Sequence, residues 1–232
     1  MIGVYDTGLG GVQIMRRVQK LRPDLEYRFF QDHEMLPLGD KTHQQIKDRV
    51  TDVCEQLFQE GCQLVIMACN TASVHTIRYL QQELVPNKYP GCNVIGVTKP
   101  LIEYVVNEYE ECKTQKGCLL ATQATIDSGF YQHELLQHGF VNLQSLPAVG
   151  LADAIERQDV EKIQQFLIQY TDYCNIDYLI LACTHYSLAV EAIQKLYPHL
   201  IIIDPSQYTA ERIVWYVEKH PEYQCIKFEV DT

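Results

Sequence analysis

The sequence predicts an α/β protein built from two similar parallel-sheet α/β domains that face each other across a central cleft. Strand-like apolar runs alternate with helix-like runs along the chain, as in parallel sheets whose strands are joined by helices. Two segments, 65–74 and 179–188, also resemble each other: each is an apolar run that ends in Ala-Cys and continues with small polar residues. This duplication predicts two related halves with one such cysteine each, Cys69 and Cys183.

Composition indicates a globular protein of 232 residues, 47% of them hydrophobic, which can supply a sizeable core. A net charge of −11 argues against nucleic acid as a partner. No stretch approaches the ~18 apolar residues that a membrane span needs. The nine cysteines are odd in number and no secretory signal opens the chain, so we expect a cytoplasmic protein without a disulfide framework.

The predicted secondary structure follows a regular order along the chain. The predicted strands are Ile2–Tyr5, Tyr27–Gln31, Leu64–Ala68, Val94–Val97, Gly117–Ala121, Asn142–Leu146, Tyr178–Ala182 and Ile201–Ile203. The clearest helices are Gly11–Lys20, Thr42–Glu60, Thr71–Glu83, Pro100–Glu111, Ala124–His138, Val160–Tyr173, Ser187–Tyr197 and Gln207–Lys219. The residue types of 86–91 predict a turn or loop between them.

The domain boundary is predicted near residues 96–99, before a helix that opens on Thr98-Lys99-Pro100. The helix from about Gln207 and the segment Tyr223–Val230 have no counterpart in the second half. We therefore expect residues 1–96 plus 206–232 to form the first domain and residues 97–205 the second.

The first strand is followed by a glycine-rich turn, Asp6-Thr7-Gly8-Leu9-Gly10-Gly11. A dinucleotide-binding Gly-x-Gly-x-x-Gly motif fails here because position 13 is glutamine. The turn still places Asp6, Thr7 and backbone N–H groups at the carboxyl end of a strand, where ligands of open α/β sheets bind. Taken alone, Asp6 is more often a helix cap than a catalytic group.

The loop Leu36–Thr42 follows the second strand and contains Leu38 and Gly39. Judged alone, it is a turn that leads to an N-cap at Thr42. Its position matters because the loops after strands one, two and three share one rim of the predicted sheet.

Cys69 and Cys183 each end a strand at the entrance of a helix, where backbone N–H groups favour a thiolate. Most free cysteines are buried and inert, and we expect this of Cys62 and Cys118. A substrate between the two strand-end thiols would meet one on each face, an arrangement suited to moving a proton across a carbon atom. His185 is either a simple capping or surface residue or a proton partner of Cys183. Asp6 is the candidate partner of Cys69.

No metal site is predicted, because the chain has no Cys-x-x-Cys pair and its eight histidines show no common ligand spacing. No cofactor motif is present either. We expect a small-molecule substrate and no metal or cofactor.

The chain resembles the glutamate racemases of the aspartate/glutamate racemase superfamily over essentially its whole length. The resemblance is carried by the segments 2–11, 32–42, Ala68–Ser73 and Cys183–Tyr186, with weaker similarity at Thr122–Tyr131 and Asp204–Ser206. It implies cofactor-independent interconversion of L- and D-glutamate, with D-glutamate supplied for peptidoglycan. Cys183 would deprotonate L-glutamate and Cys69 D-glutamate. We also expect a homodimer.

The resemblance implies a set of site residues on matching positions. Cys69 and Cys183 would be the acid/base pair, assisted by Asp6 and His185, and substrate would be held by Asp6, Thr7, Leu38, Gly39, Asn70, Thr71, Thr184 and His185. Three departures from the family pattern affect substrate choice. Thr7 replaces the usual serine, Leu38 the usual tyrosine, and Met35 a frequent arginine. The segment 146–151 also departs, so the glutamate that the family carries downstream is left unassigned.

Three alternatives to a glutamate racemase stay open. An aspartate or broad-specificity amino-acid racemase would use the same chemistry, and the changes at Leu38 and Met35 allow it. A lyase or isomerase of the same superfamily fits less well, because both cysteines are present together with Asn70, Thr71 and His185. A non-catalytic amino-acid-binding protein would have no need of the thiol pair.

Overall fold

Eight parallel strands form two four-stranded sheets in the computed structural model, which describes residues 1–169 and 175–224. The first sheet has the order β2-β1-β3-β4 and the second β6-β5-β7-β8. The strands are β1 (Ile2–Asp6), β2 (Tyr27–Gln31), β3 (Leu64–Met67), β4 (Asn93–Gly96), β5 (Gly117–Ala121), β6 (Leu143–Pro147), β7 (Tyr178–Leu181) and β8 (Ile201–Ile203). The two sheets repeat one topology, which confirms the predicted α/β fold.

The inner strands β3 and β7 are apolar on both faces because helices cover each sheet from two sides. In β3, Val65 and Met67 belong to one core cluster and Leu64 and Ile66 to the cluster on the opposite face. In β7, Leu179 and Leu181 alternate in the same way with Tyr178 and Ile180. The apolar strands β3 and β7 occupy corresponding positions in their two sheets, so they end at corresponding edges. Cys69 and Cys183 lie just beyond these two strand ends.

The helices connect the strands and flank the sheets. They are α1 (Leu9–Leu21), α2 (His43–Gln59), α3 (Asn70–Tyr79), α4 (Val85–Lys88), α5 (Thr98–Glu108), α6 (Gln123–Asp127), α7 (Phe130–Gln137), α8 (Leu151–Glu156), α9 (Val160–Gln169), α10 (Val190–Leu196) and α11 (Ser206–Lys219). Short 3₁₀ turns lie at His33–Met35, Leu38–Asp40, Glu110–Thr114, Thr184–Ala189 and Pro221–Tyr223. None of the helices in the described ranges is long and apolar enough to cross a lipid bilayer.

Several helix predictions were wrong in detail. The predicted helix Ala124–His138 is divided into α6 and α7 by Gly129, whose φ of 66° lies in the left-handed region. The predicted helix Ser187–Tyr197 begins as the 3₁₀ turn Thr184–Ala189 and becomes α-helical only at Val190. Of the predicted helix Val160–Tyr173 and the segment Tyr223–Val230, residues 170–173 and 225–230 lie outside the described residues.

Residues 86–91, predicted as a turn or loop, begin in a helix. The helix α3 continues through the wider turn Leu80–Leu84 into α4, where Pro86 occupies the first turn. Proline is tolerated there because a first-turn N–H has no partner within the helix. Residues 151–156, for which no helix was predicted, form α8.

The helix α11 packs beside the first sheet. Its residues Ala210, Ile213 and Val217 share a core cluster with Ile2 and Val4 of β1. The return of the chain to the first domain after residue 205 and the division into domains remain predictions.

Candidate active site

The two strand-end cysteines line one cleft cavity of about 440 Å³, including its open mouth. Cys69 precedes the first residue of α3, and Cys183 precedes the 3₁₀ turn Thr184–Ala189. Each side chain is 7% exposed, so both thiols are nearly enclosed yet reach the cavity. The matching ends of β3 and β7 thus bring one thiol from each half to a common space.

The structure brings the predicted site residues together. Seven of them line the cavity directly: Thr7, Leu38, Gly39, Cys69, Thr71, Cys183 and His185. Asn70 and Thr184 line a smaller neighbouring cavity that also reaches Cys183. Asp6 is fully buried behind these residues and interacts electrostatically with Cys69 and His185.

On the second-half side, His185 forms an ion pair with Glu156, with 2.9 Å between His185 Nε2 and Glu156 Oε2. The same carboxylate oxygen accepts a 2.7 Å hydrogen bond from the backbone N–H of Leu9 in α1. The hydrogen bond from His185 lowers the pKa of Glu156. Burial alone would lower the pKa of His185, but hydrogen bonds to Cys183 and Glu156 raise it to about 10. His185 is therefore an imidazolium cation beside Cys183 near neutral pH.

Glu156 is a site residue that the sequence analysis did not identify. It ends α8, shortly after the segment 146–151 whose sequence departs from the family pattern. The only available signal was the expected downstream glutamate, and Glu156 is the glutamate that the structure places beside His185.

On the first-half side, Asp6 has one satisfied and one unsatisfied oxygen. Its Oδ2 accepts hydrogen bonds from the backbone N–H groups of Gly11 (2.5 Å) and Gly8 (3.3 Å). Its Oδ1 is buried and has no partner among residues 1–169 and 175–224. Burial raises the pKa of Asp6, although His185 and the backbone N–H groups act in the opposite direction. Asp6 can therefore hold a proton more readily than an exposed carboxyl group.

The environment of Cys69 favours the protonated thiol. Burial raises the pKa of Cys69 well above its ordinary value, and the carboxyl group of Asp6 raises it further. Hydrogen bonds from the backbone N–H groups of Ala72 and Thr71 oppose this effect. The two thiols thus differ, because one lies beside a cation and the other beside an acid.

A cluster of three hydroxyl groups joins the two halves at the cavity. Thr71 of α3 lies 2.9 Å from Thr122 and 3.1 Å from Thr125, measured between the Oγ1 atoms. Gly39 packs so closely against Thr122 that a Cβ atom at position 39 would overlap the threonine side chain. Glycine at this position therefore allows the loop after β2 to reach the cavity.

No lysine or arginine lines this cavity within the described residues. An anionic substrate would depend on hydroxyl groups, backbone N–H groups and the His185 cation for its binding. The wall contributed by Leu36, Pro37, Leu38, Ala148 and Val149 is apolar. Within the described ranges, no three histidine, cysteine or acidic side chains are grouped so that they could hold a metal ion.

Comparisons with known proteins give one consistent result. The model of the Asp/Glu/Hydantoin racemase family matches residues 13–213. A glutamate racemase of Ruegeria pomeroyi is 32% identical over 95% of this chain and 86% of its own length.

Solved structures resemble the chain to a similar extent. The glutamate racemase of Campylobacter jejuni has a TM-score of 0.81 at 25% identity and covers 98% of this chain and 87% of its own. The glutamate racemase of Francisella tularensis in complex with D-glutamate has a TM-score of 0.82 at 25% identity, with coverage of 97% and 84%.

Proposed function

Because this chain belongs to the Asp/Glu/Hydantoin racemase family, we propose that it interconverts L- and D-glutamate by proton transfer between Cys69 and Cys183. Family membership makes the protein a racemase, which is an isomerase. Glutamate is supported as the substrate by the Ruegeria pomeroyi relative and by the Francisella tularensis structure with D-glutamate.

The observation that carries the proposal is the placement of two thiols from opposite halves on one cavity. The α-proton of an amino acid is a weak acid, so its removal requires a positioned base and donors that stabilise the developing negative charge. A second thiol on the opposite side can return a proton to the other face of the same carbon. No cofactor is required for this exchange.

The unequal environments of the thiols suggest the resting form. Cys183, beside the His185 cation, is the base, and the protonated Cys69 is the acid. Cys183 removes the α-proton of L-glutamate, and Cys69 delivers its own proton to the opposite face of Cα, which gives D-glutamate. Cys183 is then protonated and Cys69 is the thiolate, so that D-glutamate can be converted in the reverse direction.

The first test measures deuterium incorporation at Cα of L- and D-glutamate in D₂O, after exhaustive EDTA treatment and without added cofactor. We expect exchange and racemisation of glutamate to exceed those of aspartate. Activity that disappears after chelation, or a clear preference for aspartate, would contradict the proposal.

The second test replaces the two thiols separately. Cys69→Ser and Cys183→Ser should both lose racemisation, because a serine hydroxyl is far too weak an acid to replace a thiol. Cys62 and Cys118 are buried in the cores of the two halves and serve as matched controls. Cys62→Ser and Cys118→Ser should change stability more than turnover. Full racemisation by either Cys69→Ser or Cys183→Ser would exclude the two-thiol mechanism.

Three predictions from the sequence remain predictions. These are the supply of D-glutamate for peptidoglycan, the cytoplasmic location and the homodimer.

A further inference from the structure

Tyr131 extends from the core of the second half to a residue of the first half. Its ring is fully buried in a cluster with Leu119, Ala121 and Ala182. Its hydroxyl group donates a hydrogen bond to the side-chain oxygen Oδ1 of Asn70, the residue directly after Cys69. The ring is therefore anchored in one half while the hydroxyl group holds a side chain of the other.

The position of Tyr131 links it to both thiols. Burial raises the pKa of Tyr131 well above its ordinary value, and negative charge at Cys69 and Cys183 raises it further. The phenol consequently keeps its proton near neutral pH. It is a hydrogen-bond donor within electrostatic reach of both thiols.

This donor determines which way the Asn70 amide faces. An asparagine side chain has one accepting oxygen and one donating nitrogen. A buried amide takes the orientation in which its oxygen meets a donor and its nitrogen meets an acceptor. With Oδ1 occupied by the phenol, the NH₂ group faces the other way. Asn70 Nδ2 has no hydrogen-bond partner in the described part of the chain, and Asn70 lines the small cavity shared with Cys183 and Thr184.

We propose that Tyr131 is a positioning residue for racemisation, and that it acts by holding the Asn70 amide with its N–H groups directed at the substrate between the two thiols. The inference rests on the proposed function. An amide that turned over would present its oxygen to a negatively charged substrate and repel it. Tyr131 touches no reacting atom in this scheme and acts only through Asn70.

The test is a double-mutant cycle of Tyr131→Phe and Asn70→Ala, measured as kcat/KM for glutamate and as Cα deuterium exchange. Phenylalanine keeps the buried ring and removes only the hydroxyl group. We expect Tyr131→Phe to lower kcat/KM about 10- to 100-fold, somewhat less than the loss of a direct donor to a developing charge. In the Asn70→Ala background the same change should cost less than about 3-fold, because residues that act through one another are not additive.

Tyr197→Phe is the matched control. Tyr197 is also buried, and its hydroxyl group donates a 2.9 Å hydrogen bond to the carbonyl oxygen of Leu167 in the core of the second half. This variant should lower Tm by an amount similar to Tyr131→Phe while leaving kcat/KM within about 2-fold.

Each outcome of the double-mutant cycle either supports or overturns the positioning role of Tyr131. Additive losses, an unchanged kcat/KM for Tyr131→Phe, or failure of that variant to fold would make the hydroxyl group a structural element and overturn the inference. A wild-type protein that does not racemise glutamate would remove the proposed function and this inference together. An active wild type with an unaffected Tyr131→Phe variant would remove the inference alone.

Discussion

His185 and Asp6 give the two otherwise matching thiols opposite surroundings. His185 is 3% exposed, and as a cation it relies on Glu156 to offset the free energy of burying its charge. Asp6 is entirely buried, with one carboxyl oxygen unpaired in the described ranges. In the proposed mechanism, the difference between the two thiols therefore comes from single side chains outside the two cysteines.

Replacement of Glu156 by glutamine should lower the pKa of His185 from about 10. A hydrogen bond to a charged group contributes about 1.5–3 kcal/mol, and one pH unit corresponds to about 1.4 kcal/mol. The alkaline limb of the kcat/KM profile for L-glutamate should thus move about 1–2 pH units lower in Glu156→Gln. Glu161→Gln, at an exposed position of α9, is the control. An unchanged alkaline limb would show that Glu156 does not hold the cation.

The same ion pair predicts how stability depends on pH. The pKa of His185 is raised from 6.5 to about 10 in the folded protein, so proton binding at His185 favours the folded state. This contribution is complete below about pH 6.5 and is lost as the pH rises through 10. The difference in Tm between wild type and Glu156→Gln should accordingly be greatest at or below pH 6.5 and disappear near pH 10.

Leu38 replaces a tyrosine of the family pattern and is the clearest candidate for a residue that adjusts substrate choice. It is 3% exposed and forms part of the apolar wall. Leu38→Tyr should change KM or the preference for glutamate over aspartate by a factor of about 10 or less, the scale of ~1 kcal/mol of contact energy. Cα exchange at saturating substrate should barely change. Leu136→Tyr, on the exposed face of α7, is the control, and a change of orders of magnitude in saturated exchange would assign this loop a role in the chemistry.

Sequence alone could identify the thiols because strand, cysteine and helix entrance are contiguous in the chain. It could not identify Glu156, which lies 29 residues before His185 and meets it only through the packing of α8 against the 3₁₀ turn Thr184–Ala189. The sequence indicated Tyr131 only as the last residue of the weak family similarity at Thr122–Tyr131. Its hydrogen bond to Asn70 could not be predicted, because it joins residues 61 positions apart.

At the scale of elements, strands were predicted more accurately than helices. A buried parallel strand is a short apolar run, and all eight predicted runs are strands in the structure, with small shifts at their ends. The helices depart from prediction where a single residue changes the backbone path, as at Gly129, or where a tight turn is needed, as at Thr184–Ala189. The turn Thr184–Ala189 lies at the cavity, where it presents the His185 ring.

The contact between α1 and the 3₁₀ turn Thr184–Ala189 depends on Gly10. A Cβ atom at position 10 would overlap the Thr184 side chain and the backbone nitrogen of His185. Gly10→Ala should therefore destabilise the protein by about 1–3 kcal/mol, as overpacking does. This corresponds to a decrease in Tm of about 2–4 °C per kcal/mol for a chain of this size. Displacement of His185 should also reduce kcat/KM at least about 10-fold.

The sign of the change in Tm for Gly10→Ala shows whether close packing or helix propensity dominates at this position. Alanine is a better helix former than glycine by about 1 kcal/mol, so Gly10→Ala would stabilise α1 if no clash occurred. Gln19→Ala, at an exposed position of the same helix, should leave Tm and turnover unchanged. A higher Tm for Gly10→Ala with full activity would exclude the proposed close contact.

At the scale of the whole molecule, the two sheets have corresponding strand orders, and polar contacts at the cavity join the two halves. The hydroxyl cluster of Thr71, Thr122 and Thr125 is one such contact, and the bond from Leu9 to Glu156 is another. The sequence predicted the two halves from the repeated cysteine segments. It could not predict these contacts, because each one joins residues that are distant in the chain.

A substrate that contacts both halves should stabilise them together. At a D-glutamate concentration 100 times its Kd, binding contributes about 2.7 kcal/mol to the free energy of unfolding. For a chain of this size that is an increase in Tm of roughly 5–11 °C. We expect one calorimetric transition that moves as a whole, measured on Cys183→Ser so that no turnover occurs, and a smaller shift with D-aspartate at the same concentration. Two separate transitions of which only one responds would place the ligand on a single half, and a larger shift with aspartate would favour the aspartate alternative over glutamate.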